Sequence, residues 1–103
     1  MVKFVALYKK PEDPEAFDKW YFGEHMAICK RYPDVAHMHV ERVTGTPRGE
    51  SDYYLMFEVV YPDRDTMMRS LMSEPGMESA KNVRESGFGP LFSSFFTESV
   101  PTD

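Results

Sequence analysis

The sequence predicts an α+β fold in which one antiparallel sheet carries its helices on a single face. Three observations lead to this prediction. Four short segments alternate apolar and polar residues or are wholly apolar, two longer segments place apolar residues at helical spacing, and proline or glycine stands near most of the boundaries. At 103 residues, the chain fits a single domain that spans residues 1–103.

Local residues justify the individual elements. Asp13, as an N-cap, and Pro14, at the first helical position, begin the first helix. Gly23 weakens that helix by about 1 kcal/mol relative to alanine, and we expect a neighbouring group to approach the backbone there. Pro75 and Gly76 are expected to break the second helical region into two parts.

Taken in order, the elements give the ferredoxin-like βαββαβ arrangement. They are a strand at residues 2–8, a helix from 14 to about 31, strands at 36–43 and 53–61, a helix from 64 to about 73, a short helix at 77–85 and a strand at 91–98. Residues 44–52, which hold two glycines and a proline, predict an exposed loop.

The sheet should have one face that its own helices cannot cover. The first and third strands are the most apolar and are predicted to be central, yet both are apolar on both faces. Two helices cover only one face, and soluble monomers seldom expose several hundred Å² of apolar surface. A second copy packed face to face is the simplest cover, so we expect a homodimer formed through the sheet, a dimeric α/β barrel.

Composition excludes several partner classes. The formal net charge is -5 and no run of lysine or arginine exceeds a pair, which argues against nucleic acid and anionic membrane as partners. No apolar run approaches the ~18 residues of a membrane span, and no signal peptide is apparent. Cys29 is the only cysteine and cannot form an internal disulfide, so a cytoplasmic location is expected.

The first helix carries the residues of this sequence that are best suited to acid/base chemistry. At about 100° per residue, one face of this helix presents Phe17, Tyr21, His25, Ile28 and Tyr32, and the opposite side presents Asp18, Lys19, Met26 and Lys30. The first face should be buried, with Tyr21 one turn before His25. Two interpretations stay open: a phenol–imidazole acid/base pair, since the pKa of histidine lies near neutrality, or a hydrogen bond that only fixes the core.

The same helix also carries a resemblance to a known family. The segment Phe17-x-x-Trp20-Tyr21-x-x-x-His25, followed by the strand segment Val40-Glu41-Arg42-Val43, resembles the EthD family, named for an accessory protein of ethyl tert-butyl ether degradation. The resemblance extends over nearly the whole chain. Family members commonly have a proline two residues after the histidine, where this chain has Ala27, so we expect the helix to continue past His25.

The resemblance implies a small-molecule pocket. The wider superfamily of dimeric α/β barrels includes cofactor-independent monooxygenases, lactone isomerases, polyketide cyclases and haem enzymes, many with a pocket between sheet and helices that is lined by a histidine and tyrosines. The implied roles are His25 as the acid/base and Tyr21 as its partner, with ligand contacts from Phe17, Trp20, Ile28, His39 and Glu58.

Other residues are candidate metal ligands, nucleophiles or bases. His37 and His39 share a strand face, but nothing nearby completes a metal shell, and polar residues are expected on an edge strand. Cys29 is more typical of a small buried hydrophobe than of a nucleophile. Glu58 interrupts a central strand: it is either a buried base, a dimer-interface residue or, as we favour, the ion-pair partner of Arg42. No metal or cofactor is predicted.

Three functions remain compatible with the sequence. The leading interpretation is a binding protein for a small hydrophobic or aromatic metabolite of a catabolic or biosynthetic pathway, with cofactor-independent acid/base conversion of the oxygenase, isomerase or cyclase type. The second is a non-catalytic accessory protein that holds a ligand for another enzyme. The third is a purely structural assembly module, which requires that side chains fill the space beside His25.

Overall fold

A computed structural model describes residues 1–103, and it confirms the ferredoxin-like α+β fold. The first helix is continuous through three parts: α1, a π-helical segment and α2. The elements are β1 (Val2–Lys9), α1 (Pro14–Trp20), the π segment (Tyr21–His25), α2 (Met26–Cys29), β2 (His37–Arg42), β3 (Tyr53–Tyr61), α3 (Arg64–Leu71), α4 (Glu74–Ser86), a 3₁₀ turn (Gly89–Leu91) and β4 (Phe92–Glu98). None of the helices is both long enough and apolar enough to span a membrane.

The four strands form one antiparallel sheet in the order β2-β3-β1-β4. The prediction that the first and third strands are central is confirmed. Alternate residues of β3, among them Leu55, Phe57 and Val59, are almost completely buried on the face that carries the helices. Ala6 pairs with Phe57 across the two central strands, so β1 presents its matching residues to the same core.

The opposite face of the sheet is not covered by any helix of the chain. It carries the residues that alternate with the core set: Leu7 pairs with Met56 on this face, and Val5 pairs with Phe95. Phe95 leaves 46% of its surface exposed. The two-sided apolar character seen in the sequence therefore corresponds to a real apolar surface, called the open face below.

The π segment changes which residues of the first helix are buried. A π turn holds more residues than an α turn, so every residue beyond it is rotated about the helix axis relative to a regular helix. Met26, which the regular helix placed on the polar side, is buried, and so is Cys29, whereas Ile28 is only half-buried. The expected close approach at Gly23 is also wrong, because a Cβ there would meet no atom within 4 Å.

The predicted break into two helices is confirmed, but it lies at residues 72–73, and Pro75 and Gly76 stand in the first turn of α4. Ser73 is the N-cap, and its hydroxyl accepts a hydrogen bond from the amide of Gly76, while Pro75 lies in the first turn, where its missing N–H costs nothing. A Cβ on Gly76 would lie 2.2 Å from the carbonyl oxygen of Leu71. Only glycine lets α4 start this close to the end of α3, three residues before the start that the sequence predicted.

Residues 44–52 form the predicted exposed loop between β2 and β3. They contain no helix or strand, only an isolated bridge between Thr46 and Gly49. Gly45 and Gly49 have positive φ angles of 156° and 128°, which explains why glycine stands at these two positions.

Candidate ligand-binding and acid/base site

A cavity of about 330 Å³ lies between α4 and the helix-covered face of the sheet. Its volume is at the lower end of the range for ligand pockets, roughly 300–1,000 Å³. Ala6 and Phe57 line it from the central strands, Ala80 and Val83 line it from α4, and His25 borders it from the first helix. The cavity is therefore mostly apolar, with a titratable ring in its wall.

His25 is held in this wall by its neighbours. Its side chain is buried, with 4% of the residue surface exposed, and its ring stacks on Trp20 with 4.9 Å between centroids. Nδ1 lies 2.9 Å from Oδ1 of Asn82 on α4. Burial lowers the pKa of His25 and outweighs the opposite effects of Asn82 and Glu24. The imidazole is thus neutral near pH 7 and able to accept a proton.

The second ring nitrogen of His25, Nε2, has no hydrogen-bond partner within the chain. Among the fully buried side-chain nitrogen and oxygen atoms, only Tyr21 Oη and His39 Nδ1 lack a hydrogen-bond partner. His25 Nε2 is not among these atoms, so it keeps some accessible surface. His25 lines the cavity, and Nε2 is its ring nitrogen that remains available to a ligand there.

Tyr8 supplies a second polar group to the cavity. Tyr8 lines the cavity from β1. Its hydroxyl makes no hydrogen bond within the chain and keeps some accessible surface. Burial, with a smaller contribution from Cys29, raises the pKa of Tyr8. The phenol stays protonated and can donate a hydrogen bond. The sequence placed Tyr8 on the same face as Phe4 and Ala6 but gave no sign of a functional role.

Tyr21 does not act as the hydrogen-bond partner of His25. The two rings are neighbours, with centroids 5.3 Å apart, but Nδ1 of His25 bonds to Asn82. The hydroxyl of Tyr21 is buried without any partner, and its ring stacks on Phe17. The π segment that joins Tyr21 to His25 removes the regular one-turn spacing on which the prediction depended.

Three further predicted ligand contacts lie outside the cavity wall. Phe17 is completely buried in the core, and Ile28 is half-buried on the flank of the first helix. Trp20 packs behind His25 and donates its indole N–H to Asn82 over 3.0 Å. None of the three lines the cavity, so their contribution is to hold the imidazole and the core in place.

His39 and Glu58 lie on the open face of the sheet, away from the cavity. They are paired residues of β2 and β3, with His39 Nε2 2.5 Å from Glu58 Oε1, and Lys3 Nζ lies 3.4 Å from the other carboxylate oxygen. The favoured ion pair between Glu58 and Arg42 is wrong, because Arg42 lies on the other face and pairs with Asp18. Arg42 is paired with Leu55, three residues away from Glu58, and strand alternation turns the two side chains to opposite faces of the sheet.

The remaining candidates carry no chemistry at the cavity. Ligand atoms of His39, Glu41 and Glu58 lie within 4.8 Å of one another, but Lys3 already neutralises part of this cluster. Cys29 is completely buried, and burial raises the pKa of its thiol to about 11, so a thiolate nucleophile is disfavoured.

Comparison with known proteins settles the family. A sequence model of the EthD domain matches residues 9–86, a range that includes both His25 and Asn82. The chain belongs to the EthD family. An EthD-family protein from Bacillus halodurans of known crystal structure is 36% identical, with a TM-score of 0.91 over 97% of this EthD chain and 99% of its own.

More distant structures share the fold of this EthD chain. A dimeric ferredoxin-like protein of unknown function from Jannaschia sp. CCS1 is 13% identical, with a TM-score of 0.71 over 96% of this chain and 100% of its own. SnoaB, a cofactor-independent oxygenase from Streptomyces nogalater, is 20% identical, with a TM-score of 0.64 over 98% of this chain and 94% of its own. At these identities, the similarity shows a common ferredoxin-like fold.

Replacement of Tyr21 by phenylalanine tests where its hydroxyl lies. Because that hydroxyl is buried without a partner, Tyr21→Phe should leave the free energy of unfolding unchanged or raise it by up to about 1 kcal/mol. The control is Tyr61→Phe: Tyr61 is equally buried, but its hydroxyl bonds to Ser70 at 2.8 Å. This control should lose about 1 kcal/mol in urea denaturation. A similar loss in both variants would show that Tyr21 has a partner after all.

Proposed function

We propose that this EthD-family chain binds a small hydrophobic or aromatic molecule in the cavity beneath α4 and converts it by acid/base chemistry without a cofactor. The observation that carries the proposal is the accessible Nε2 of a neutral His25 in the wall of a mostly apolar cavity. His25 is the acid/base. Tyr8 takes the role of hydrogen-bond donor that the sequence had given to Tyr21.

The two polar groups suit one proton-transfer step. Nε2 of His25 takes a proton from a hydroxyl or acidic C–H group of the bound molecule, and the Tyr8 hydroxyl donates a hydrogen bond to an oxygen on which negative charge develops. The imidazolium returns its proton to another atom of the same molecule. Such a cycle balances without an external electron carrier for an isomerase or cyclase. In an oxygenase, O₂ is the co-substrate, the bound molecule itself supplies the electrons that reduce it, and an oxygen atom that is not incorporated leaves as water.

The fold is compatible with this chemistry. SnoaB has the same fold and is a cofactor-independent oxygenase, so a ferredoxin-like subunit of this size can work without a cofactor. The likeness supports the reaction class only, and the pathway, whether catabolic or biosynthetic, stays part of the proposal.

An accessory protein that holds its ligand for another enzyme is the alternative, because the same cavity would serve it. It differs from the enzyme in a single respect: the bound molecule leaves unchanged. The purely structural alternative requires that side chains fill the space beside His25, and a cavity of about 330 Å³ at that position weighs against it.

A phenylalanine in place of His25 separates a binding role from a structural one. We expect His25→Phe to fold, since it replaces a buried polar ring by an apolar ring, but to bind the probe 2-naphthol at least ~10-fold more weakly in calorimetric titration, because the hydrogen bond to Nε2 is lost. The control His37→Phe, at an exposed residue of β2, should bind as the wild type does. Equal affinity in all three proteins would refute the role of His25.

We further propose that two chains form a homodimer through the open face. Phe95 is exposed there although it pairs with the buried Val5, and a dimer would bury on the order of 1,500 Å² in total. The dimeric Jannaschia protein shows that a chain of this fold can dimerise.

A charge placed on the open face tests the dimer. Light scattering of the wild type should give twice the chain mass of 12.0 kDa, and Phe95→Glu should give the single-chain mass, because a buried unpaired carboxylate opposes association. Phe22→Glu is the control, since Phe22 is 49% exposed but lies on the first helix. A monomeric wild type, or a dimeric Phe95→Glu, would contradict the proposal.

A further inference from the structure

Asn82 connects α4 to the first helix through three hydrogen bonds. Its Oδ1 lies 3.0 Å from the indole nitrogen of Trp20 and 2.9 Å from Nδ1 of His25. Its Nδ2 donates to a carboxylate oxygen of Glu24 over 2.9 Å. Asn82 is the only asparagine of the chain, and it lies 57 positions after the histidine that it contacts.

The partners of Asn82 fix the orientation of its amide. An indole N–H can only donate, so the atom that faces Trp20 must be the oxygen. An ionised carboxylate can only accept, so the atom that faces Glu24 must be the nitrogen. The amide cannot be turned around without breaking both bonds. Oδ1 therefore faces His25 as an acceptor, and Nδ1 of His25 must be the donor.

A neutral imidazole carries one N–H group, so a proton on Nδ1 leaves a lone pair on Nε2. Nε2 is the ring nitrogen without a partner in the chain, and it belongs to a residue that lines the cavity. We infer that Asn82 is a positioning residue that holds His25 in the Nδ1–H tautomer, so that the cavity selects small molecules that present a hydroxyl group, such as hydroxyaromatic compounds, to Nε2. The choice of ligand rests on the proposed function, whereas the tautomer does not.

The inferred tautomer has a direct consequence for selectivity. A ligand that offers only an acceptor, such as an ether or ketone oxygen, would place its lone pair against the lone pair of Nε2 and leave that nitrogen without a partner. A hydroxyl satisfies Nε2 and is also the group from which a base takes a proton. Tyr8, which also lines the cavity with an unbonded hydroxyl, can donate a hydrogen bond to a ligand oxygen.

Nitrogen-15 NMR of the protein without ligand tests the tautomer. The ring shifts of His25, assigned by their loss in His25→Phe, should be pyrrole-like at Nδ1 and pyridine-like at Nε2 near pH 7.5. Asn82→Asp keeps an acceptor at this position and should keep the proton on Nδ1, whereas Asn82→Leu removes the acceptor and should shift the proton population toward Nε2. Lys81→Leu, at an exposed neighbour on α4, should match the wild type.

Two results would overturn the tautomer. One is a wild-type spectrum with the proton on Nε2, a result that needs no variant to fold. The other is an unchanged spectrum in a folded Asn82→Leu, which would show that Asn82 does not set the tautomer. A merely structural role for Asn82 would change stability but not the identity of the protonated nitrogen.

A matched pair of probes tests the selectivity. The wild type should bind 2-naphthol at least ~10-fold more tightly than 2-methoxynaphthalene, which has the same rings but no hydroxyl hydrogen. Asn82→Leu should lose most of this preference. Equal binding of both probes to the wild type would overturn the selectivity and leave the binding function standing. Binding of neither would count against the proposed function itself, and the nitrogen spectrum would still decide the tautomer.

Discussion

The contact between α4 and the first helix is the interaction on which the site depends. Asn82 bonds to Trp20 and His25, and one turn earlier on α4 Ser79 Oγ lies 2.5 Å from the hydroxyl of Tyr32. α4 packs chiefly against the first helix, α3 and the 3₁₀ turn rather than directly on the strands. Because α4 is supported at its side, the space between it and the sheet remains as a cavity.

Burial gives His25 and Tyr8 opposite roles at this cavity. Removal from water disfavours the charged form of each group, so it lowers the pKa of His25 and raises the pKa of Tyr8. One group is left as a neutral acceptor and the other as a neutral donor, which is the combination a proton-transfer site needs near neutral pH. The cost of burying the imidazole is reduced by the bond from Nδ1 to Asn82.

Much of the fold, but less of the site, could be predicted from the sequence. The apolar segment at residues 53–61 predicted β3 with its observed bounds, and helical spacing placed His25 on a buried face. Nothing in the amino-acid composition indicates the π segment, so the regular helical spacing places Met26 on the polar side of the helix, although it is buried. Asn82 could not be found, because its role comes from a contact between two helices distant in the chain. Once the register of β2 and β3 is known, Glu58 pairs with His39 by geometry alone.

The central claim is that a small molecule binds in the cavity beneath α4 and beside His25. Intermolecular nuclear Overhauser effects measure this most directly, from the ring protons of bound 2-naphthol to assigned methyl groups of the protein. We expect effects to Ala6, Ala80 and Val83, which line the cavity. Effects to Leu7 and Val60 on the open face, with none to the cavity methyls, would contradict it.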